Sequence, residues 1–328
     1  MIKNENHLLR GEATELCEGR IISGVGGLYT VRDDEGNAFR CRAKGTFRYD
    51  GMQPLVGDRV TFIKPTGEGE DDATGARIET ILARKNMLIR PAMANLDVLF
   101  FIIAAKDPDP SLRFIDKLLA ILEYQGIECV IIITKCDLDG DKARKMRVKY
   151  EKCGYRVIET DEGGGDGTDG DAALSAYLKT FDKSMLAAFS GVSGAGKSTL
   201  FNRLIPELAL ETGAISERIA RGKHTTRAVS LYDLDACSSG AYHGLLADTP
   251  GFSMLDFAHF DFFSCEDLPY TFREFVPYLG KCRYTKCSHT VEEGCAVCEA
   301  VKNKIIPKSR HTSYTELYDI LKKKKEYN

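Results

Sequence analysis

Residues 184–199 read SMLAAFSGVSGAGKST, an apolar run that enters a glycine-rich turn and ends on Lys197, Ser198 and Thr199. Gly191–Ser198 fits the pattern GxxxxGK[ST] without a substitution. In that pattern the backbone N–H groups of Gly191, Val192, Ser193, Gly194, Ala195 and Gly196 wrap a phosphate chain. Lys197 offsets its β/γ charge, the Ser198 hydroxyl ligates Mg²⁺, and Thr199 leads into a helix. A glycine-rich turn could match by accident. The buried strand expected before it and the helix expected over Thr199–Leu204 argue against accident.

Working outward, the run His243–Ala247 is a further buried strand and delivers Asp248-Thr-Pro-Gly251. An Asp at a strand end can hold Mg²⁺ through water, and Gly251 can donate its N–H to a γ-phosphate. Upstream, ECVIIIT (128–134) is another strand, and it ends on Thr134-Lys135-Cys136-Asp137. The Asp137 carboxylate can accept from guanine N1–H and N2–H₂, a donor pair that adenine lacks, while the Lys135 stem lies against the ring. Thr134 stands where this motif usually has Asn. The base-reading element therefore precedes the phosphate loop, the reverse of the common order. A sheet fixes where strands lie, not where the chain begins, so a circular permutation keeps the pieces around one pocket.

Between the phosphate loop and Asp248 lies RGKHTTR, residues 221–227. A Thr in this interval completes the Mg²⁺ shell in the triphosphate state, with Thr226 preferred over Thr225. The residue after Gly251 is Phe252, where many GTPases carry the Gln that orients water. His224 is the candidate for that task. Intact Lys197, Ser198 and Asp248 oppose the reading of an RNA-binding module with a relic pocket, and Asp137 opposes an ATPase.

Composition agrees with a soluble globular chain: 328 residues, 43% hydrophobic, 28% charged and a net charge of −3. The basic charge is concentrated at one end, with eleven Lys or Arg against six acidic residues from Lys281 onward. No apolar run approaches the roughly 20 residues that span a bilayer. A cytoplasmic location is the default expectation, given no apolar leader and cysteines that are mostly scattered singly.

Residues up to about 90 contain short alternating runs broken by turns, such as Asp34-Glu-Gly36, and few helical patterns. They imply about five short strands in a small closed barrel of the oligonucleotide/oligosaccharide-binding (OB) type. From residue 95 strands alternate with helices. VLFFIIA (98–104) is continuously apolar, and residues 111–126 have helical spacing between Ser111 as N-cap and Gly126 as stop. That alternation indicates a doubly wound α/β sheet. Near the C-terminus Cys282, Cys287, His289 and Cys295 form the ligand set of a closed tetrahedral zinc site, with Cys298 as a spare. The last sixteen residues, 313–328, read as a short helix with a basic tail.

Together these motifs, with FREF (272–275) and CRYTKCSHTVEEGCAV (282–297), resemble the ribosome small subunit-dependent GTPase A family (RsgA, also called YjeQ), nearly end to end. The resemblance implies an OB barrel over 1–90, a circularly permuted GTPase domain over 91–260 and a helical zinc-binding domain over 261–328. It implies binding of GTP and GDP with Mg²⁺, one structural zinc, and hydrolysis stimulated by the small ribosomal subunit and its rRNA. The expected protein acts late in subunit maturation as a monomer, away from membranes. Val157–Asp161 takes the place of the base-closing loop, with Thr160 as its candidate residue.

Overall fold

The computed structural model describes residues 16–45, 47, 51–64, 75–89, 92–161, 170–206, 229–248 and 264–327. Two compact units divide between Arg84 and Lys85.

The first unit is a barrel of β1 (Leu16–Val25), β2 (Leu28–Asp33), β3 (Ala38–Ala43), β4 (Arg59–Ile63) and β5 (Ala76–Ile81). β1 pairs antiparallel with both β2 and β4. β2 continues to β3, β3 to β5 in parallel, and β5 back to β4, so the sheet closes on itself. Alternation decides which side chains fill it: Ile21, Val31, Cys41, Val60, Phe62 and Ile78 point inward and are wholly buried. The turn expected at Asp34–Gly36 joins β2 to β3, and Asp33 accepts the Asn37 N–H at 2.7 Å. The five-stranded barrel is the architecture that the alternating runs implied.

The second unit opens with a hairpin, β6 (Met87–Ile89) and β7 (Ala92–Ala94). Its sheet is built from β8 (Val98–Ala104), β9 (Glu128–Thr134), β10 (Arg156–Glu159), β11 (Leu186–Gly191), β12 (Ser230–Asp233) and β13 (Leu245–Asp248). The spatial order is β10-β9-β8-β11-β13-β12, parallel throughout except for β12. β8 to β10 step outward in one direction and β11 to β13 in the other. The strand order thus reverses between β8 and β11, where doubly wound sheets bind ligands at their carboxyl ends.

Helix α1 (Leu112–Gln125) joins β8 to β9. Both its ends are local chemistry. The Ser111 hydroxyl accepts from the Phe114 N–H, and Gly126, at φ 66°, turns its own N–H back to Leu122 and Glu123. Its apolar face buries Leu118, Leu119, Ile121 and Leu122, each worth about 1.5–3 kcal/mol. α2 (Gly140–Lys152) follows β9, α3 (Gly170–Leu178) follows β10, α4 (Lys197–Leu204) follows β11, and the single turn α5 (Leu234–Cys237) follows β12. The core under the phosphate side is aromatic, with Phe100 stacked on Phe189 at 4.9 Å.

The C-terminal segment adds α6 (Ala296–Lys302) and α7 (Lys308–Tyr327). The final helix is longer than the short one expected from 313–328. Pro307, which needs no N–H partner, starts it by accepting from the N–H groups of Arg310 and His311. Leu268, Phe272, Phe275, Tyr314 and Leu317 share a core with Ala120 and Ile121 of α1. No helix among the described residues is long and apolar enough to cross a membrane.

Candidate functional site

The phosphate-loop side is set by β11. Gly191 packs directly on the Ile102 carbonyl of β8, where a Cβ would collide with backbone. Gly194 and Gly196 both have φ 80°, the left-handed region in which glycine is unstrained. Gly196 then caps α4, whose first residues are Lys197, Ser198 and Thr199. Ala195 is buried and Lys197 half-buried, while Ser193, Gly194, Ser198 and Thr199 are exposed at the mouth of the turn. A helix N-terminus at the mouth of a glycine turn suits an anion.

The base-reading side is set by β9. Thr134 ends the strand and is buried. Lys135 follows in the left-handed region at φ 55°, and Cys136–Leu138 make one 3-10 turn. The Lys135 ammonium donates to the Asp107 carbonyl at 2.8 Å, and the Asp137 carboxylate is exposed. The Cys136 thiol turns inward to the Ile133 carbonyl at 3.3 Å, and burial pushes it up to about 12. Cys136 can therefore serve a nucleotide through its backbone only.

One hydrogen bond joins the two sides. The Thr134 hydroxyl donates to the Ala195 carbonyl at 2.6 Å, linking residues 61 apart in sequence. Thr160 braces the same turn, since its N–H donates to Ile133 O at 2.7 Å and its carbonyl accepts from Cys136 N–H at 3.4 Å. On the far side of β11, Asp248 ends β13 in register with Phe189. The strand ends carrying Thr134, Gly191 and Asp248 thus emerge on one edge of the sheet. His224, Thr225, Thr226, Gly251 and Phe252 lie outside the described residues.

Two features had no clear sequence signal. Arg203, in the last turn of α4, donates to the Asp161 carbonyl at 2.7 Å and to the Asp171 carboxylate at 2.8 Å. Pro108, in the loop after β8, stands over Gly194, 3.8 Å from where a Cβ would be. Both contacts join segments that only the sheet topology brings together.

Away from this edge, Cys282, Cys287, His289 and Cys295 place one ligand atom each within 4.8 Å of one another. The Cys282 and Cys295 sulfurs are 3.8 Å apart, and His289 Nδ1 is 3.5 Å from each. A tetrahedral ion with thiolate bonds of about 2.3 Å and an imidazole bond of about 2.05 Å requires separations of roughly 3.8 and 3.6 Å. The donor set fits such an ion. The spare Cys298 instead points its thiol at the Thr290 carbonyl at 3.5 Å. Left-handed His289 and Gly294 shape the knuckle. Glu292 ties it by accepting from the N–H groups of Ser288, Thr290 and Val291. Burial opposes the Glu292 charge, but these hydrogen bonds and the Ser288 hydroxyl outweigh it and hold the carboxyl at about 2.

Comparison with known proteins agrees with this geometry. The profile of the RsgA GTPase family matches residues 81–258, and that of the RsgA N-terminal domain matches 18–70. The small ribosomal subunit biogenesis GTPase RsgA of Ruminiclostridium cellulolyticum is 38% identical over 315 residues, covering 94% of this chain and 95% of the relative. Its counterpart from Streptococcus mutans is 38% identical over 312 residues, covering 94% and 97%. Among solved structures, YjeQ from Thermotoga maritima superposes with a TM-score of 0.72 at 30% identity, covering 94% of this chain and 99% of that one. YloQ, a circularly permuted GTPase, superposes at 0.70 with 29% identity, covering 98% and 99%. With a permuted strand order, a phosphate loop tied to a base-reading turn, and relatives matched along almost their whole length, the chain belongs to the RsgA GTPase family.

Proposed function

We propose that the chain hydrolyses GTP in the biogenesis of the small ribosomal subunit, as the names of its relatives describe them. The observation that carries the nucleotide reading is the Thr134–Ala195 hydrogen bond, which holds a guanine-reading turn and a phosphate loop in one frame. In this reading residues 1–90 and 261–328 contact the subunit and its rRNA, and 91–260 form the GTPase domain. The protein acts in the cytoplasm as a monomer, binds the subunit in the GTP state and leaves after hydrolysis. Zinc is the ion suited to the Cys₃His cluster, because three thiolates and an imidazole leave no open position for chemistry.

The mechanism assigns each group one task. The phosphate-loop N–H groups and the Lys197 ammonium receive the β- and γ-phosphates. Asp137 accepts from the guanine edge while Lys135 flanks the ring. Mg²⁺ would be held by Ser198, Asp248 and Thr226, and would supply charge neutralisation. Gly251 donates to the γ-phosphate, and His224 orients the attacking water in place of a Gln.

The test is GTP turnover with and without small ribosomal subunits, and co-sedimentation with GDP or a non-hydrolysable analogue. Lys197→Ala is expected to lower kcat/KM at least about a hundredfold, near 2.7 kcal/mol. His224→Ala is expected to lower subunit-stimulated turnover about tenfold, near 1.4 kcal/mol, with little change in nucleotide affinity. Wild-type stimulated rates in that variant would remove His224 from the mechanism. A wild-type chain with no turnover under either condition would overturn the enzyme reading.

A further inference from the structure

We propose that Arg203 is a positioning residue for the guanine site. It does not reach the base itself. Its guanidinium holds the two ends of the segment between β10 and α3, and through them the backbone that braces the base-reading turn. This rests on the guanine-nucleotide reading above.

Arg203 closes a bracket. One arm donates to the carbonyl of Asp161, which directly follows Thr160, and the other to the carboxylate of Asp171, in the first turn of α3. The two ends meet at a second, independent point. Gly170 packs against the Glu159 carbonyl so closely that no Cβ fits. Thr160, between those pinned positions, is the residue whose carbonyl accepts from Cys136 and whose N–H reaches Ile133. Arg203 also lines one small cleft with Thr134, Thr160, Gly196 and Thr199. Helix α4 therefore serves the nucleotide twice: its first turn carries the phosphate loop, and its last turn steadies the base side.

The plainer reading is a surface ion pair, of which many contribute nothing measurable. Geometry separates the two. Arg203 is only 24% exposed, and its shorter bond goes to a backbone carbonyl, whose position sets the course of the chain rather than merely pairing a charge.

The test uses the full chain with Arg203→Ala, Arg203→Lys and Asp171→Asn. Three quantities are read: dissociation of N-methylanthraniloyl-GDP, KM and kcat for GTP, and inhibition by inorganic tripolyphosphate, which has no base. For Arg203→Ala, dissociation and KM are expected to rise about tenfold, the worth of one charge-assisted hydrogen bond. The loss should fall on KM and spare kcat, with tripolyphosphate inhibition unchanged. Arg203→Lys should recover part of the effect by keeping one donor. Asp171→Asn should move dissociation in the same direction by less, and it carries the test if Arg203→Ala does not fold. Unchanged GDP dissociation in both folded variants would overturn the proposal. So would an equal loss for GDP and tripolyphosphate, because Arg203 would then only hold α4 in place. Failure of the wild-type chain to bind the GDP probe would overturn the guanine reading instead, a separately visible result.

Discussion

Stripping the metal from Cys282, Cys287, His289 and Cys295 is expected to unfold the segment from about Lys281 to Ile306 while GDP binding survives. The reason is how little else holds that segment. Its own helix, α6, has seven residues, and between residues 281 and 295 the chain turns without regular structure. Cys295 is a core residue there, and Cys282, Cys287 and Cys298 pack around it. A bound ion would add to the few apolar contacts made by Val297, Ala300 and Ile306, and structural zinc in small modules supplies an apparent ~10–16 kcal/mol at pH 7, about the whole stability of a domain. Here the cost should be less than for an isolated module, because Phe272, Phe275 and Tyr314 remain packed on α1. Amide hydrogen exchange checks this. Protection should vanish over 281–306 in the chelated protein or in Cys287→Ser, and persist in β8, β9 and β11. Freshly purified, reduced protein should carry about one zinc per chain. Metal-free protein with full protection over the segment would sink the claim.

Arg310→Met is expected to destabilise the second unit by about 3–5 kcal/mol. Arg310 is fully buried, with Nε 2.6 Å from Glu274 and Nη1 3.1 Å from Asp116 on α1. Its guanidinium also lies 4.4 Å from the centre of the Phe272 ring. Burial works against the charge. Glu274, Tyr155 and Asp116 outweigh it and hold the guanidinium well above its ordinary value. Asp116 keeps two donors without the arginine, Tyr150 at 3.1 Å and Ser313 at 2.7 Å. Glu274 takes two hydrogen bonds from this buried guanidinium, so methionine strips the carboxylate of its buried cation. Urea midpoints of the single variant and of Arg310→Met/Asp116→Asn/Glu274→Gln separate the effects. The triple variant should regain part of the loss, since uncharged partners no longer need the cation. A single variant that melts with the wild type would show that the network contributes nothing to stability.

What could be read from the chain beforehand is what is encoded locally. Ser111 and Gly126 bound α1 because a cap needs only a neighbour three or four residues away. The phosphate loop and the Cys₃His cluster were legible for the same reason, each being a set of groups within one short stretch. The buried strands β8 and β9 were legible because parallel strands covered on both faces are apolar without interruption. Arg203 and Arg310 were not. Their partners lie 32 to 194 residues away, and nothing in an arginine announces which carboxylate the topology will bring to it. The start of α7 was missed because Pro307 reads as a breaker until its carbonyl is seen to begin the helix. Thr134 takes the place that Asn usually has in the base-reading motif. Its observed bond goes instead to the phosphate loop.

The strand order also sets a timetable for making the protein. Translation completes β8, β9 and β10 first, a half-sheet whose members are neighbours both in sequence and in space. The other edge of β8 is reserved for β11, about eighty residues after Ala104. At 5–20 residues per second that edge stands open for about 4–16 s, and VLFFIIA is an apolar strand of the kind that pairs with strangers. When β11 arrives it brings the phosphate loop with it. The phosphates of the nucleotide therefore have no site until β11 is made, so they can fasten the sheet only late in synthesis.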